Sequence, residues 1–82
     1  MTRPVLQLMS RQACCLCENA ELVLSDFVAQ GRCNVQVIDV DQDIALAARY
    51  GMDVPVLLLN NEVCLMHRMT HEAVEKVLEA AC

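Results

Sequence analysis

The sequence has little of the two residues that interrupt regular structure, since its 82 residues include only two glycines and two prolines. With a hydrophobic content of 56%, this scarcity excludes a disordered or loop-rich chain and favours helices and strands joined by short turns. Basic residues are also scarce: six Lys and Arg stand against eleven Asp and Glu, a net charge of −5. Because such a chain has no basic stripe to neutralise phosphates, we expect no nucleic-acid partner.

Long apolar runs are missing as well. The longest, Val54 to Leu59, is far shorter than the ~20 residues that span a bilayer, and it contains a proline. The first residues do not form a signal-peptide core, because Gln7 and Ser10 interrupt their apolar run. We therefore expect one domain over residues 1–82, monomeric, in the cytoplasm and away from membranes.

Cysteine is the residue that the chain has in excess, with six in 82 residues. A small secreted scaffold with three disulfides would have the same count, but such scaffolds lack a core, and this chain has ordered patterns of Val, Leu and Ile. In a reducing cytosol most of the thiols would stay free. A C-x-x-C pair is then more typical of a catalytic or metal-binding site.

Cys14 and Cys17 form such a pair at the predicted start of a helix. A thiol there faces unpaired N–H groups and the positive end of the helix dipole, which favour the thiolate, the nucleophile in disulfide exchange. A helix terminus supplies about 0.3–1 kcal/mol, whereas lowering a thiol pKa from about 8.5 to about 6.5 needs roughly 2.7 kcal/mol. Arg11 and N–H···S bonds from the first turn are the local candidates for the remainder. Cys15 is expected to be a bystander, because adjacent cysteines form strained disulfides.

Hydrophobic periodicity and turn residues predict the element order βαβαββα. Asp41 and Thr70 are expected to cap the second and third helices, and Gly31 and Gly51 to end the first two. Asn60-Asn61 predicts a two-residue hairpin turn. The predicted strands are 4–9, 33–40, 55–59 and 62–66, and the predicted helices are 15–30, 42–50 and 71–81.

Several apolar side chains are predicted to be buried. One face of the first helix, formed by Leu16, Ala20, Val23 and Phe27, is expected to pack on the sheet. Met52, Met66 and Met69 are expected to fill the core, and Cys33, Cys64 and Cys82 to be structural or incidental.

A second pattern of metal-binding residue types lies near the end of the chain. Cys64, His67 and His71 form C-x-x-H-x-x-x-H, which is typical of half a zinc site. His67 precedes the predicted helix, so the two rings need not share a face. Exposed or capping roles are therefore favoured, and we expect no metal site.

Three features resemble the small glutaredoxins of the thioredoxin superfamily. Leu8 to Cys17 is similar to their strand-loop-helix segment, with a Ser-Arg pair two residues before C-x-x-C. Val37 to Pro55 is similar to the segment that leads to a cis-proline facing the active cysteines. The order of the elements is the third feature. The resemblance implies an α/β, thioredoxin-like fold with a four-stranded mixed sheet in the order 2-1-3-4 and three helices.

The resemblance also implies a thiol-disulfide oxidoreductase in which Cys14 attacks, Cys17 resolves the mixed disulfide and Arg11 stabilises the thiolate. Val54 would offer its backbone to an extended thiol substrate, and Pro55 would hold that loop in the cis form. It implies no cofactor beyond the Cys14–Cys17 disulfide. The partners it implies are protein disulfides or glutathione, the latter as a co-substrate.

The sequence departs from the family pattern in several places. Met9 stands where glutaredoxins usually have an aromatic residue, and Cys15-Leu16 stands where they have Pro-Tyr between the cysteines. The Gly-Gly-Asp-like motif that holds the far end of glutathione is replaced by Met66 to Thr70, and the Trp-Cys-Gly-Pro-Cys signature of thioredoxins is missing. Two alternatives stay open. One is a thioredoxin-fold module whose cysteines hold a metal or an iron–sulfur cluster, and the other is an adaptor without turnover.

Overall fold

The computed structural model describes residues 3–81, so Cys82 and the role predicted for it lie outside the described residues. Over these residues the element order is the predicted one. A single 3₁₀ turn, Val40–Gln42, separates the second strand from the second helix. The strands are β1 Val5–Ser10, β2 Asn34–Asp39, β3 Val56–Leu59 and β4 Glu62–Met66, and the helices are α1 Cys15–Ala29, α2 Ile44–Tyr50 and α3 His71–Ala81.

The strands form one mixed sheet in the order β2-β1-β3-β4, which confirms the thioredoxin-like architecture. β1 runs parallel to β2, and β3 is antiparallel to both β1 and β4. At the carboxyl end of β1, Ser10 pairs with Asp39 and Met9 pairs with Val56. The loop after Ser10, the turn after Asp39 and the segment before Val56 therefore meet at one edge of the sheet.

The core lies on both faces of the sheet. One cluster joins β1 and β3 to α1 and α3, and the other joins them to the 3₁₀ turn and α2. Central strands covered on both sides need apolar side chains throughout, which is why β1 and β3 read as nearly continuous apolar runs. The first cluster includes Leu6, Leu8, Leu24, Phe27, Leu57, Val74 and Leu78, and the second includes Met9, Val40, Tyr50, Val56 and Leu58.

The prediction that Asp41 caps the second helix was wrong. Asp43 is the N-cap of α2, and its Oδ1 accepts from the N–H groups of Ala45 and Leu46 at 2.8 and 3.3 Å. The chain leaving β2 first makes the 3₁₀ turn. Asp39 caps that turn, since its Oδ1 accepts from the Asp41 N–H at 2.9 Å. Asp41 is thus displaced from the capping position by one short turn and its side chain is available to other partners.

The other predicted helix and hairpin ends are confirmed. Thr70 Oγ1 accepts from the Ala73 N–H at 3.1 Å, as expected of the cap of α3. Gly31 follows α1 with a φ of 74°, and the hairpin turn has φ values of 53° at Asn60 and 66° at Asn61. Gly51 follows the last residue of α2, but with a right-handed φ of −54°.

Some predicted burials were wrong. Ala20, Val23 and Phe27 are buried on α1 as predicted, but Leu16 is 39% exposed, and Cys17, the next residue, is buried instead. Met69 is buried as predicted, whereas Met66 is exposed on the edge strand β4 and Met52 is 98% exposed after α2. Cys33 is buried and Cys64 is exposed, which agrees with a structural role for the first and an incidental one for the second. Burial raises the pKa of the Cys33 thiol, which disfavours the reactive thiolate form.

None of the helices between residues 3 and 81 combines the length and hydrophobicity that crossing a bilayer requires.

Candidate active site

The structure brings Cys14 and Cys17 together at the start of α1. They form a disulfide with a Cα–Cα distance of 5.2 Å. Cys14 is the N-cap, with extended backbone angles, and its Sγ accepts from the Cys17 N–H at 3.2 Å. Cys14 is partly exposed, whereas Cys17 is 1% exposed. A disulfide arriving from solvent would therefore reach the sulfur of Cys14 first.

The backbone just before this pair is strained. Ala13 has a φ of 55°, in the left-handed region that residues with a Cβ rarely occupy. Such a conformation costs on the order of 1–3 kcal/mol and persists only where the surrounding structure imposes it. It turns the chain sharply between the loop and the extended Cys14. Alanine has no preference for this region, so its residue type could not predict the turn.

The segment before β3 contains the expected cis-proline. The Val54–Pro55 peptide bond is cis, which confirms the prediction for Pro55. The Pro55 carbonyl accepts from the His67 N–H at 2.8 Å, and the ring of Pro55 is buried. Because Val56 pairs with Met9, this peptide lies at the same edge of the sheet as the loop that leads to Cys14. The substrate contacts expected of Val54 and Pro55 stay a prediction.

The guanidinium of Arg11 contacts two segments that are remote in sequence. Its Nε and Nη2 donate to the carboxylate of Asp41 at 3.2 and 2.7 Å. Its Nη1 donates to the Gly51 carbonyl at 2.9 Å. The same hydrogen bonds lower the pKa of the Asp41 carboxyl and raise the pKa of Arg11. The thiolate-stabilising role of Arg11 stays a prediction; its bonds to Asp41 and Gly51 were not predicted.

A groove of about 340 Å³ lies beside the dithiol. Its ionisable groups besides Cys17 are one guanidinium, which is already bound to Asp41, and three carboxylates. The groove is therefore acidic. It is lined by Ser10, Arg11, Gln12, Ala13, Cys17, Glu18, Glu21, Val37 and Asp39.

The chain matches the model of the glutaredoxin-like domain (DUF836) over residues 5–79. It belongs to the glutaredoxin-like family. The match includes both cysteines, the cis-proline and every strand of the described sheet. The resemblance predicted from the motif at Cys14 is therefore confirmed.

Solved structures agree with this assignment. A structural-genomics target protein from X. campestris is 29% identical, with a TM-score of 0.79 over 94% of this chain and 99% of its own. A mutant thioredoxin from Halobacterium salinarum is 30% identical, with a TM-score of 0.68 over 93% of this chain and 72% of its own. Deadhead, a germline-specific thioredoxin from Drosophila melanogaster, is 17% identical over 98% of this chain and 82% of its own, and its TM-score of 0.67 shows the shared fold.

In this glutaredoxin-like protein the C-x-x-H-x-x-x-H residues are not brought together. His67 Nε2 lies 3.1 Å from Asp53, and His71 Nε2 lies 2.7 Å from Asp26. Cys64 is directed to the Glu62 carbonyl on its own strand. Within residues 3–81, no three His, Cys, Asp or Glu side chains are grouped closely enough to hold a metal ion.

Proposed function

We propose that this glutaredoxin-like protein is a thiol-disulfide oxidoreductase that acts through Cys14 and Cys17. The observation that carries the proposal is the position of Cys14. It is partly exposed at the N-cap of α1, with the Cys17 N–H directed at its sulfur and Cys17 buried behind it. A partly exposed cap cysteine with a donor on its sulfur is suited to be an attacking thiolate.

The donor on Cys14 is of the size needed to lower the pKa of its thiol in the dithiol form. Lowering the pKa of a thiol from about 8.5 to about 6.5 needs roughly 2.7 kcal/mol. A hydrogen bond to a charged group contributes about 1.5–3 kcal/mol, a range that includes this requirement. The dipole of the helix terminus acts in the same direction, partly through the same N–H groups, so Arg11 is not needed to reach the requirement.

The reaction is two successive thiol-disulfide exchanges. The Cys14 thiolate attacks one sulfur of a substrate disulfide, forms a mixed disulfide with it and releases the other sulfur as a thiolate. Cys17 then loses its proton and attacks Cys14 Sγ. The Cys14–Cys17 disulfide forms, the bond to the substrate breaks, and the released thiolate takes up a proton. The dithiol has lost two electrons and the substrate disulfide has gained them.

A low pKa at Cys14 helps the second exchange most. As an attacker, a more acidic thiol gains little, because its intrinsic nucleophilicity falls with its pKa. As a leaving group it departs faster, so the resolving attack by Cys17 is favoured. The substrate class we propose is protein or glutathione mixed disulfides in the cytoplasm, with an external thiol such as glutathione restoring the dithiol.

The test is the trapped intermediate in Cys17→Ser. Incubated with a peptide–glutathione mixed disulfide, this variant should accumulate a disulfide adduct on Cys14, because the resolving thiol is missing. Mass spectrometry locates the adduct, and Cys64→Ser, which removes another exposed thiol, is the control that should resolve normally. Absence of an adduct at Cys14 would contradict the proposal. Absorbance above 400 nm in the purified protein would favour the cluster-binding alternative.

A further inference from the structure

Arg11 joins three parts of the chain at the edge of the sheet where the site lies. It belongs to the loop between β1 and Cys14, and it donates to Asp41 in the 3₁₀ turn and to the carbonyl of Gly51. These partners are 30 and 40 residues away in sequence. Gly51 opens the short segment that ends at the cis Val54–Pro55 bond. One guanidinium therefore connects the dithiol loop to the cis-proline segment.

We propose that Arg11 is a positioning residue, which with Asp41 and the Gly51 carbonyl clamps the loop of Cys14 to the segment that leads to Pro55. The clamp deepens the proposed function and rests on it, because its purpose is to hold the attacking sulfur in register with the backbone that would receive the substrate. Asp41 is exposed and does not cap α2, and the clamp gives it a role in the site.

The contacts of Arg11 favour positioning over a direct charge effect on Cys14. The carboxylate of Asp41 accepts from Nε and Nη2 and neutralises the guanidinium, and Nη1 donates to the Gly51 carbonyl. The lowered pKa of Asp41 keeps that carboxylate charged at neutral pH. The sulfur of Cys14 accepts a hydrogen bond from the Cys17 N–H, so the acidity of Cys14 has a source within α1 itself.

The two roles predict opposite effects of Asp41→Asn. If Arg11 acted on Cys14 through its charge, removing the neutralising carboxylate would leave a stronger cation near the dithiol, and exchange would be faster. If Arg11 acts as a clamp, the same change breaks a charge-assisted bond, and exchange is slower. Arg11→Lys keeps the charge, but a single ammonium cannot reproduce the fork that reaches both Asp41 and Gly51, so the clamp predicts no rescue.

The experiment measures the single-turnover rate at which each reduced protein reduces a peptide–glutathione mixed disulfide. Asp41→Asn, Arg11→Lys and Arg11→Met should each slow this step by about ten- to hundredfold, the cost of a modest misplacement of reacting groups. The pH midpoint for alkylation of Cys14 should stay at the wild-type value in all three. Glu75→Gln, which removes the carboxylate of another arginine pair, is the matched control and should leave the rate unchanged.

A second readout does not depend on activity. Hydrogen exchange of the backbone amides in 11–17 and in 51–54 should be faster in Asp41→Asn than in the wild type, and unchanged in Glu75→Gln. Faster reduction by Asp41→Asn, or a raised alkylation midpoint in Arg11→Met, would overturn the clamp, as would unchanged hydrogen exchange in both segments. If the wild-type protein does not reduce the mixed disulfide, the proposed function is contradicted. The hydrogen-exchange measurement would still decide whether the clamp exists.

Discussion

Two arginine–carboxylate pairs secure the two ends of α1. Arg11 lies just before the helix begins and pairs with Asp41 of the 3₁₀ turn, their side chains 39% and 47% exposed. Arg32 lies just after the helix ends and pairs with Glu75 of α3, their side chains 35% and 39% exposed. Each pair joins segments that are 30 or more residues apart. The chemistry and exposure are alike, but a 15-residue helix of about 22 Å separates them.

The surroundings of the two pairs differ. Arg32 lies over the ring of Phe27 at 5.3 Å, so the Arg32–Glu75 pair, called here the distal pair, covers part of the main core. Arg11 instead contacts the Gly51 carbonyl, next to the cis-proline segment. We therefore expect the distal pair to stabilise the fold, and the Arg11–Asp41 pair, called here the proximal pair, to hold the geometry of the site. The comparison leads us to expect that one kind of ion pair has either role, according to what its arginine contacts besides the carboxylate.

The largest expected effect is the loss of disulfide-exchange activity when the dithiol at the amino-terminal end of α1 is changed. Cys14→Ser should reduce disulfide exchange to the uncatalysed rate, because serine cannot form the mixed disulfide. Cys15→Ser, one position along α1, is the control, and it should retain most of the activity since Cys15 is exposed and outside the disulfide. The single-turnover assay checks both. Loss of activity in Cys15→Ser would mean that the reactive pair is not Cys14 and Cys17.

At the distal end, Phe27→Ala should reduce the free energy of unfolding by about 3–5 kcal/mol, because it empties a buried ring site. Leu22→Ala on the exposed face of the same helix should change it by less than about 0.5 kcal/mol. Urea unfolding measures both. At a temperature where Phe27→Ala remains folded, its rate of disulfide exchange should equal that of the wild type. A lower rate under these conditions would show that the two ends of α1 are coupled.

Smaller effects should separate the two arginines. Arg11→Met should slow exchange with little change in Tm. Arg32→Met should lower Tm, by less than Phe27→Ala does, with little change in the exchange rate. Measuring the rate of disulfide exchange and the Tm of both variants tests this division of roles. If the two variants lose rate and Tm in the same proportion, the division of roles between the ends of α1 is wrong.

The smallest expected effect is on the stability of the protein at acidic pH. The hydrogen bonds from Arg11 and Arg32 lower the pKa of Asp41 and of Glu75 from their ordinary values of 3.8 and 4.5. A lowered folded-state pKa means that each pair stabilises the protein above the ordinary value, and that this contribution is lost as the pH falls through the folded-state pKa. Stability should therefore fall below about pH 4, and less steeply in Glu75→Gln. Urea midpoints from about pH 3 to 6 measure it; an equal slope in Glu75→Gln would contradict the assignment.

Local signals were sufficient for most of the fold. Runs of apolar residues predicted β1 and β3, and the caps at Thr70 and the turn at Asn60-Asn61 were read from residue types with known backbone preferences. The order of the strands came from the resemblance to glutaredoxins.

The capping error at Asp41 shows where local reasoning stops. Aspartates at 39, 41 and 43 are all capable of capping a helix. Which one does so depends on where β2 ends, and that is fixed by the pairing of Ser10 with Asp39 across the sheet. The same limit applies to the site. Cys14, Cys17 and Pro55 belong to recognisable motifs, whereas the contacts of Arg11 with Asp41 and Gly51 exist only once the fold brings them together.

The most direct test of the active-site account is the pH dependence of alkylation in the reduced Cys15→Ser variant, with the modified residue located by mass spectrometry. We predict that Cys14 is modified first, and that its rate has a midpoint well below the ordinary thiol value of about 8.5. A midpoint at or above about 8.5, or faster modification of Cys17 than of Cys14, would contradict the central claim that the α1 terminus makes Cys14 the attacking thiolate.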